Sequence, residues 1–136
     1  MQTRSRPWFR RRSFAPTETG FRSVLQLSAD SQWVDGHFPG NPILPAVALI
    51  ECLSSAVADW NRHTGDSLAV VSLSRVRFRL VVKGECRILI VVERGSTTDA
   101  WTWSIYRVDE SGSEERPLVA GGGMTLAPTE PEKRTS

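Results

Sequence analysis

The chain has 136 residues, of which 40% are hydrophobic and 24% charged, and a formal net charge of +2, which suits one globular domain whose modest core leaves surface for association to bury. No apolar run reaches the roughly 18 residues that a membrane-spanning helix needs, and no apolar stretch follows the N-terminal arginines as in a secretory signal, so a cytoplasmic protein without membrane contact is expected. Two cysteines, Cys52 and Cys86, make neither a disulfide framework nor a metal site and read as small buried residues in a reducing compartment.

Charge divides the chain unevenly. Residues 1–20 hold Arg4, Arg6, Arg10, Arg11 and Arg12 against Glu18 alone, residues 21–127 carry ten basic and twelve acidic side chains, and residues 128–136 are balanced. The expected organisation is a basic, flexible arm over 1–20, a folded body over 21–127 and a polar tail over 128–136. An arm of this kind is either simply solvated or attracts an acidic partner. Its arginines and serines also suggest an organelle transit peptide, but a convincing apolar face is missing. Trp8, Phe9 and Phe14 lie among the arginines, yet no basic stripe continues into the body, so a nucleic-acid partner is not expected.

Within the body, "FRSVLQLS" (21–28) alternates apolar and polar residues as a half-buried strand does. A loop rich in Asp, Gly and Pro follows, and then a helix that Pro45 opens, where its missing N–H costs nothing. Ala46, Leu49, Ile50, Leu53, Val57 and Trp60 recur at three and four and give that helix an apolar face. Ala48, Cys52 and Ala56 extend it, so the helix is expected to be covered on most sides, ending at "NRHTGDS". The pattern then turns to β. "LAVVSLSRVRFRLVV" (68–82) sets Val76, Phe78 and Leu80 against Arg75, Arg77 and Arg79, and strands at 86–94, 100–108 and 118–126 follow, the last weakened by its glycines. Short connections imply antiparallel neighbours, hence an α+β domain in which a curved sheet wraps one helix.

The segment "GHFPGNPILPAVALIECLSSAVADW" (36–60) carries the chemistry. Between Phe38 and Ala58 the only charged side chain is Glu51, and it stands fourteen residues after His37. Singly, such a histidine is usually a structural hydrogen bonder and such a glutamate usually faces solvent. Together they suit acid–base work. Burial would raise the pKa of Glu51 and make it a proton donor, while His37, with an ordinary pKa of about 6.5, accepts one. Pro39, Pro42 and Pro45 stiffen the loop between them. The N–H groups around Ala46 and Val47 lie at the positive end of the helix, placed to polarise a carbonyl oxygen. A base, an acid and an oxyanion site can eliminate water from a β-hydroxy carbonyl compound. No Ser–His–Asp or Cys–His arrangement is legible, although Cys52 and Ser54 stay open as nucleophiles.

"GHFPGNPILPAVALIE" resembles the signature of the β-hydroxyacyl-acyl-carrier-protein dehydratases, the FabA/FabZ-type hotdog proteins: H-F-P-G-x-P-I-x-P-G-V, with Glu or Asp fourteen residues after the histidine. "RFRLVVKGE" resembles a later strand and turn of that family, with Lys83 where proline is usual. The likeness covers about residues 21–127, and the short form is similar to the dehydratases of aryl-polyene-type pathways. It implies a hotdog fold and a homodimer whose sheets join edge to edge, with a higher oligomer or a heterodimer as alternatives. It makes His37 the catalytic histidine and Glu51 the acid of the opposite subunit. It makes the Ala46 amide the thioester-carbonyl donor, and it places Phe38, Gly40, Pro45 and Val47 around the substrate. Glu rather than Asp resembles the simple dehydratase type, which does not isomerise the double bond. Ala46 stands where the family has glycine, and Ser55 where many members have glutamine.

The implied function is dehydration of a 3-hydroxyacyl thioester to a trans-2-enoyl thioester in fatty acid or polyene/polyketide-type biosynthesis. The substrate would ride on the phosphopantetheine of an acyl carrier protein or on CoA, with no metal or redox cofactor. The alternatives are a hotdog acyl thioesterase and a non-catalytic acyl-binding subunit that pairs with an active homologue.

Overall fold

A computed structural model describes residues 9–27, 46–78, 86–108 and 118–129. The elements run β1 (Phe9–Pro16), β2 (Gly20–Leu27), α1 (Ala46–Thr64), β3 (Leu68–Phe78), β4 (Cys86–Arg94), β5 (Ala100–Val108) and β6 (Leu118–Pro128). The six strands form one antiparallel sheet in the order β1-β2-β4-β5-β6-β3. Helix α1 touches β1 and β2 near one edge of this sheet and β3 at the other. A flat sheet could not meet one helix at both edges, so the sheet curves around it.

The core is the contact between the two layers. From α1 come Leu49, Cys52, Leu53, Ala56, Val57 and Trp60, and from the sheet Phe21, Leu25, Ile88, Ile90, Val92, Trp103, Ile105 and Leu126, all buried. Helical periodicity supplies the first set and strand alternation the second. Phe21 stacks on Trp60 with ring centroids 5.1 Å apart, and Trp101 meets Trp60 edge-on at 6.1 Å. The Arg94 guanidinium lies over the Trp101 ring at 5.3 Å and closes that end of the core. Trp103 is buried with its indole N–H satisfied, donating to the Gly123 carbonyl at 3.0 Å.

Strands β2, β4, β5 and β6 lie where the alternation places them, β6 running on to Pro128. The helix, however, continues through Asn61–Thr64 instead of stopping at "NRHTGDS". Its terminator is Gly65, whose φ of 85° and N–H bond to the Asn61 carbonyl (2.8 Å) make the left-handed cap that glycine favours. The Asn61 side chain then ties the helix end to β3, donating to the Leu68 carbonyl and accepting from the Leu68 N–H at 2.9 and 3.0 Å. For β3, the description ends at Phe78, and the expected continuation over 79–82 lies outside the described residues.

The glycines of β6 do not loosen it. Strand β3 bulges between Ser74 and Arg77, with Arg75 at φ 54°, and this irregular stretch presses against Gly122. A Cβ on Gly122 would come within 2.8 Å of the Ser74 carbonyl oxygen, so the missing side chain is a packing requirement.

The larger correction concerns residues 1–20. Residues 9–16 are a strand hydrogen-bonded to β2, not a flexible arm. Phe9 and Phe14 pack against the core. Arg11 donates to the carboxylate of Asp59 at 2.7 Å, and Arg62, one turn further along α1, donates to the same oxygen. Asp59 is buried while both arginines remain at least half exposed, so its charge is met by two cations that still keep contact with water. Arg11 is therefore committed within the chain.

Deleting residues 1–18 should therefore destabilise the domain. The loss of two half-buried phenylalanines alone removes about 3 kcal/mol, and the melting temperature should fall by roughly 10 °C. Thermal unfolding of the full and shortened chains checks this, and equal midpoints would show β1 to be dispensable.

Candidate active site

Helix α1 decides where the candidate groups stand. Its buried stripe runs through Ala48, Leu49, Cys52, Leu53, Ala56, Val57, Asp59 and Trp60. The opposite stripe, Glu51, Ser54, Ser55, Ala58 and Arg62, is exposed or half-exposed in the single chain. Glu51 thus belongs to the one helix face that the chain's own sheet leaves uncovered. The expectation of a helix covered on most sides holds for the core stripe and not for this one. The burial that would make Glu51 a proton donor is not supplied by the single chain.

Ala46 and Val47 occupy the first turn of α1. Their N–H groups have no acceptor within the helix and point along its axis at the positive end of the dipole. Glu51 lies five residues on from Ala46, about 7.5 Å along the axis. The carboxylate and the helix start can therefore serve opposite ends of one small substrate. His37, Phe38, Gly40 and Pro45 lie outside the described residues.

The other histidine can be assessed. His63 is exposed in the last turn of α1, with its ring 5.7 Å from that of Phe14. It stands twelve residues beyond Glu51, about 18 Å along the helix. It cannot share a proton-transfer site with Glu51 of the same chain. His37, the histidine that the resemblance makes catalytic, stays the candidate base.

The nucleophile alternative weakens on Cys52. Burial holds its thiol far above the ordinary cysteine range, and the negative charge of Glu51 and then Cys86 push it further the same way. A buried neutral thiol is a poor nucleophile. Cys86 is likewise pushed up to about 11 by burial, against a smaller opposing pull from Arg107. Ser54 is exposed on the Glu51 face. Among the described residues no group of three or more His, Cys, Asp or Glu side chains could hold a metal ion, and no helix is long and apolar enough to cross a membrane.

Sequence reasoning missed Asp59, the buried acid that ties β1 to α1. The signal was present: Asp59 falls on the apolar face one turn after Ala56, with Arg62 at the i+3 position that an ion pair favours.

Comparison with known proteins agrees with this picture. A family model described as ApeI-like, ApeI dehydratase, matches residues 14–116. The 3-hydroxyacyl-[acyl-carrier-protein] dehydratase FabZ of Chloroflexus aggregans is 35% identical over 72 residues, covering 48% of this chain and 50% of that protein. The FabZ of Anaplasma phagocytophilum is 44% identical over 75 residues, covering 49% and 52%. The chain thus spans about half the length of these curated relatives. Among solved structures, an uncharacterized protein from Erwinia carotovora superposes with a TM-score of 0.66 at 19% identity, covering 87% of this chain and 94% of its own. The dehydratase heterocomplex ApeI:P from Xenorhabdus doucetiae gives 0.57 at 21% identity, covering 86% and 96%. An acyl-CoA hydrolase from Staphylococcus aureus, in complex with butyryl coenzyme A, gives 0.60 at 15% identity, covering 83% and 68%. These likenesses establish the hotdog fold, α+β with one antiparallel sheet around a helix. A family match over most of its length makes the chain a member of the ApeI-like dehydratase family.

Proposed function

We propose that this chain is a 3-hydroxyacyl thioester dehydratase, a hydro-lyase that forms trans-2-enoyl thioesters. The observation that carries the reading is the placement of Glu51, a lone carboxylate on the uncovered face of α1 within reach of the helix start, inside the segment matched to the dehydratase family. His37 takes the proton from the carbon α to the thioester carbonyl. Charge moves onto the carbonyl oxygen, where the Ala46 N–H at the positive helix end meets it. Glu51 gives its proton to the β-hydroxyl, which leaves as water as the double bond forms. The proton on His37 then returns through solvent to Glu51. Phe38, Gly40, Pro45 and Val47 would line the pocket. The reaction as written uses no metal or redox group, and the acyl chain would arrive on the phosphopantetheine of an acyl carrier protein, with CoA as the other carrier.

A second copy of the chain would complete the site. Among the described residues strand β3 is an edge of the sheet, and it carries exposed apolar side chains, Val71 at 63% and Phe78 at 44%, beside the exposed Arg75 and Arg77. The β1 edge bears Arg10, Arg11 and Arg12 in succession and, among the described residues, no exposed large hydrophobic side chain, a denser charge of the kind that discourages edge pairing. Joining two β3 edges would let the partner cover the Glu51 face and bring in the other chain's His37. The acyl-CoA hydrolase neighbour favours a thioesterase as second reading, on likeness of fold alone.

Incubation with a 3-hydroxyacyl carrier protein, followed by mass spectrometry, separates these readings. Loss of one water supports the dehydratase, loss of the acyl group the thioesterase, and no change a non-catalytic subunit. His37→Ala and Glu51→Gln should each lower the dehydration rate on the order of 10²-fold or more, with the fold intact. Rates within a few-fold of wild type for both variants would remove the acid–base assignment.

Ala46→Gly should preserve or raise turnover, because it keeps the N–H and removes a methyl group. Ala46→Pro should abolish turnover without unfolding the helix, since proline is tolerated in the first turn but has no N–H. A folded, fully active proline variant would eliminate the amide contact.

Mixing His37→Ala with Glu51→Ala protein tests whether the site is shared. In a mixed dimer with composite sites, one site receives both damaged residues and the other both intact ones. Random exchange makes half the dimers mixed, so activity should return to about a quarter of wild type, as two-fold symmetry requires. No recovery after demonstrated subunit exchange would place both residues of each site in one chain.

A further inference from the structure

Polar side chains tie helix α1 to both edges of the sheet, and the two ties flank Glu51. Strands β1 and β3 are the outermost strands of the described sheet. In the last turns of α1, Asp59 accepts from the Arg11 Nη1–H of β1 at 2.7 Å. Asn61 exchanges two hydrogen bonds with the backbone of Leu68 in β3, at 2.9 and 3.0 Å. Asp59 follows Glu51 by eight residues and Asn61 by ten, which at about 100° per residue puts them about 80° to either side of Glu51 around the helix axis. Glu51 thus projects midway between the two anchored directions, about 12 to 15 Å back along the same helix.

Core packing holds α1 against the sheet but is a poor guard of its rotation. Leu49, Leu53, Val57 and Trp60 are buried there, yet apolar burial is non-directional, and Ala48, Cys52 and Ala56 on the flank are small. Hydrogen bonds are directional. The bulge in β1 between Arg11 and Ser13 lets Arg11 and Phe14 both turn inward, which aims the guanidinium at Asp59. Arg62 also donates to Asp59, but it rides on α1 itself and so answers the charge without tying the helix to the sheet. A rotation of about 10° swings a group about 6 Å from the helix axis by about 1 Å. A misplacement of that size, caused far from the chemistry, costs on the order of 10²-fold in rate.

We propose that Arg11 and Asn61 are positioning residues for the acid: their ties to the two edge strands set the rotation of α1 and with it the aim of the Glu51 carboxylate. This role rests on the dehydratase reading of Glu51. Neither residue touches the reacting atoms, because both anchors lie more than two turns of helix from Glu51. The groups that bind the thioester in the proposed site stand at the other end of α1. Loss of a tie should therefore slow the chemical step and leave substrate binding nearly unchanged.

The test uses the full chain and a 3-hydroxyacyl carrier protein. Arg11→Met keeps the apolar stem and leaves Asp59 paired with Arg62, and Asn61→Ala removes both bonds to Leu68. Each should lower kcat about ten-fold or more with KM within about two-fold of wild type, and Arg11→Lys should recover most of the loss. Ile90→Val, a small cavity in the middle of the sheet that touches neither tie, should lower the melting temperature and keep kcat near wild type. Cys52, next to Glu51 and fully buried, reports on the helix independently of activity. Its alkylation by iodoacetamide, read by peptide mass spectrometry, should be about ten-fold faster in both tie variants, with Cys86 and the Ile90→Val protein unchanged. Arg11→Gln and Asn61→Asp stand in for a variant that does not fold. Wild-type kcat in both tie variants, an equal loss in Ile90→Val, a loss confined to KM, or unchanged Cys52 labelling would overturn the assignment. A wild-type protein that does not dehydrate the substrate would instead refute the dehydratase reading on which the role rests.

Discussion

The burial of one stripe of α1 against a curved sheet is the constraint on which everything else rests. Leu49, Leu53, Val57 and Trp60 cannot all reach the core unless the sheet bends toward both flanks of the helix. The bend uses up the inner face of β2, β4, β5 and β6. Little is left to cover the remaining side of α1, and Glu51 stands there. The same packing that makes the domain stable therefore leaves its most distinctive carboxylate outside its own core. Neighbouring residues show the contrast: Cys52 is fully buried and its thiol is held neutral, while the next side chain back along the helix is in water. A helix turns about 100° per residue, so one step is enough to move between the two environments.

The two sheet edges are finished in different ways. At the β1 edge, arginines point to both faces, and one of them reaches the buried Asp59 of α1. That ion pair fastens a strand whose apolar contribution is only Phe9 and Phe14, and Arg62 shares the load on Asp59. Removing one arginine leaves the carboxylate paired, whereas removing the whole strand also uncovers the edge of β2. The β3 edge has no ion pair of this kind among the described residues and is held by β6, by the Asn61 side chain and by Leu68, Val70, Leu73 and Val76 packed against the core. It presents Val71 and Phe78 beside the exposed Arg75 and Arg77. An edge of this kind is stable in water when another edge covers it.

How much of this could be read from sequence follows from the same physics. Strands β4 and β5 were legible to the residue because β4 is a short continuous apolar run, β5 alternates, and the ends of both are marked by turns. The register gave Ile88 and Ile90 opposite Arg107 and Ile105 with no slip. Strand β1 was hidden by its bulge. Its core-side residues are Phe9, Arg11 and Phe14, and the extra residue Arg12 changes the spacing from two to three between Arg11 and Phe14. An arginine in the middle inward position removed the last trace of alternation, since its partner, Asp59, lies 48 residues away. The helix end was misjudged for a different reason. "NRHT" is polar and resembles a loop, but these residues follow a helix that nothing stops before Gly65. On the site, sequence singled out Glu51 through its isolation in an apolar run, yet could not tell a buried carboxylate from an uncovered one. That distinction depends on the width of the sheet's embrace, which is a tertiary property.

Under the proposed dehydratase reading, the uncovered position of Glu51 suits acid catalysis at a seam between subunits. A carboxylate permanently enclosed in its own domain would be desolvated from the moment of folding, and substrate could not reach it. One left wholly in bulk water would lack the enclosed, water-excluded setting in which such chemistry is favoured. A face that only a second subunit covers resolves the conflict, because a seam between two chains can exclude bulk water while leaving a channel for a slender thioester arm. In the proposed dimer the β3 edge, with Val71 and Phe78 exposed, would make such a seam along the flank of the sheet that α1 touches. On this reading the same feature, a sheet one helix-face too narrow to enclose α1, favours both the association and the acid. The stability of the proposed dimer and the enclosure of Glu51 are then linked: whatever loosens the seam also returns the carboxylate to water.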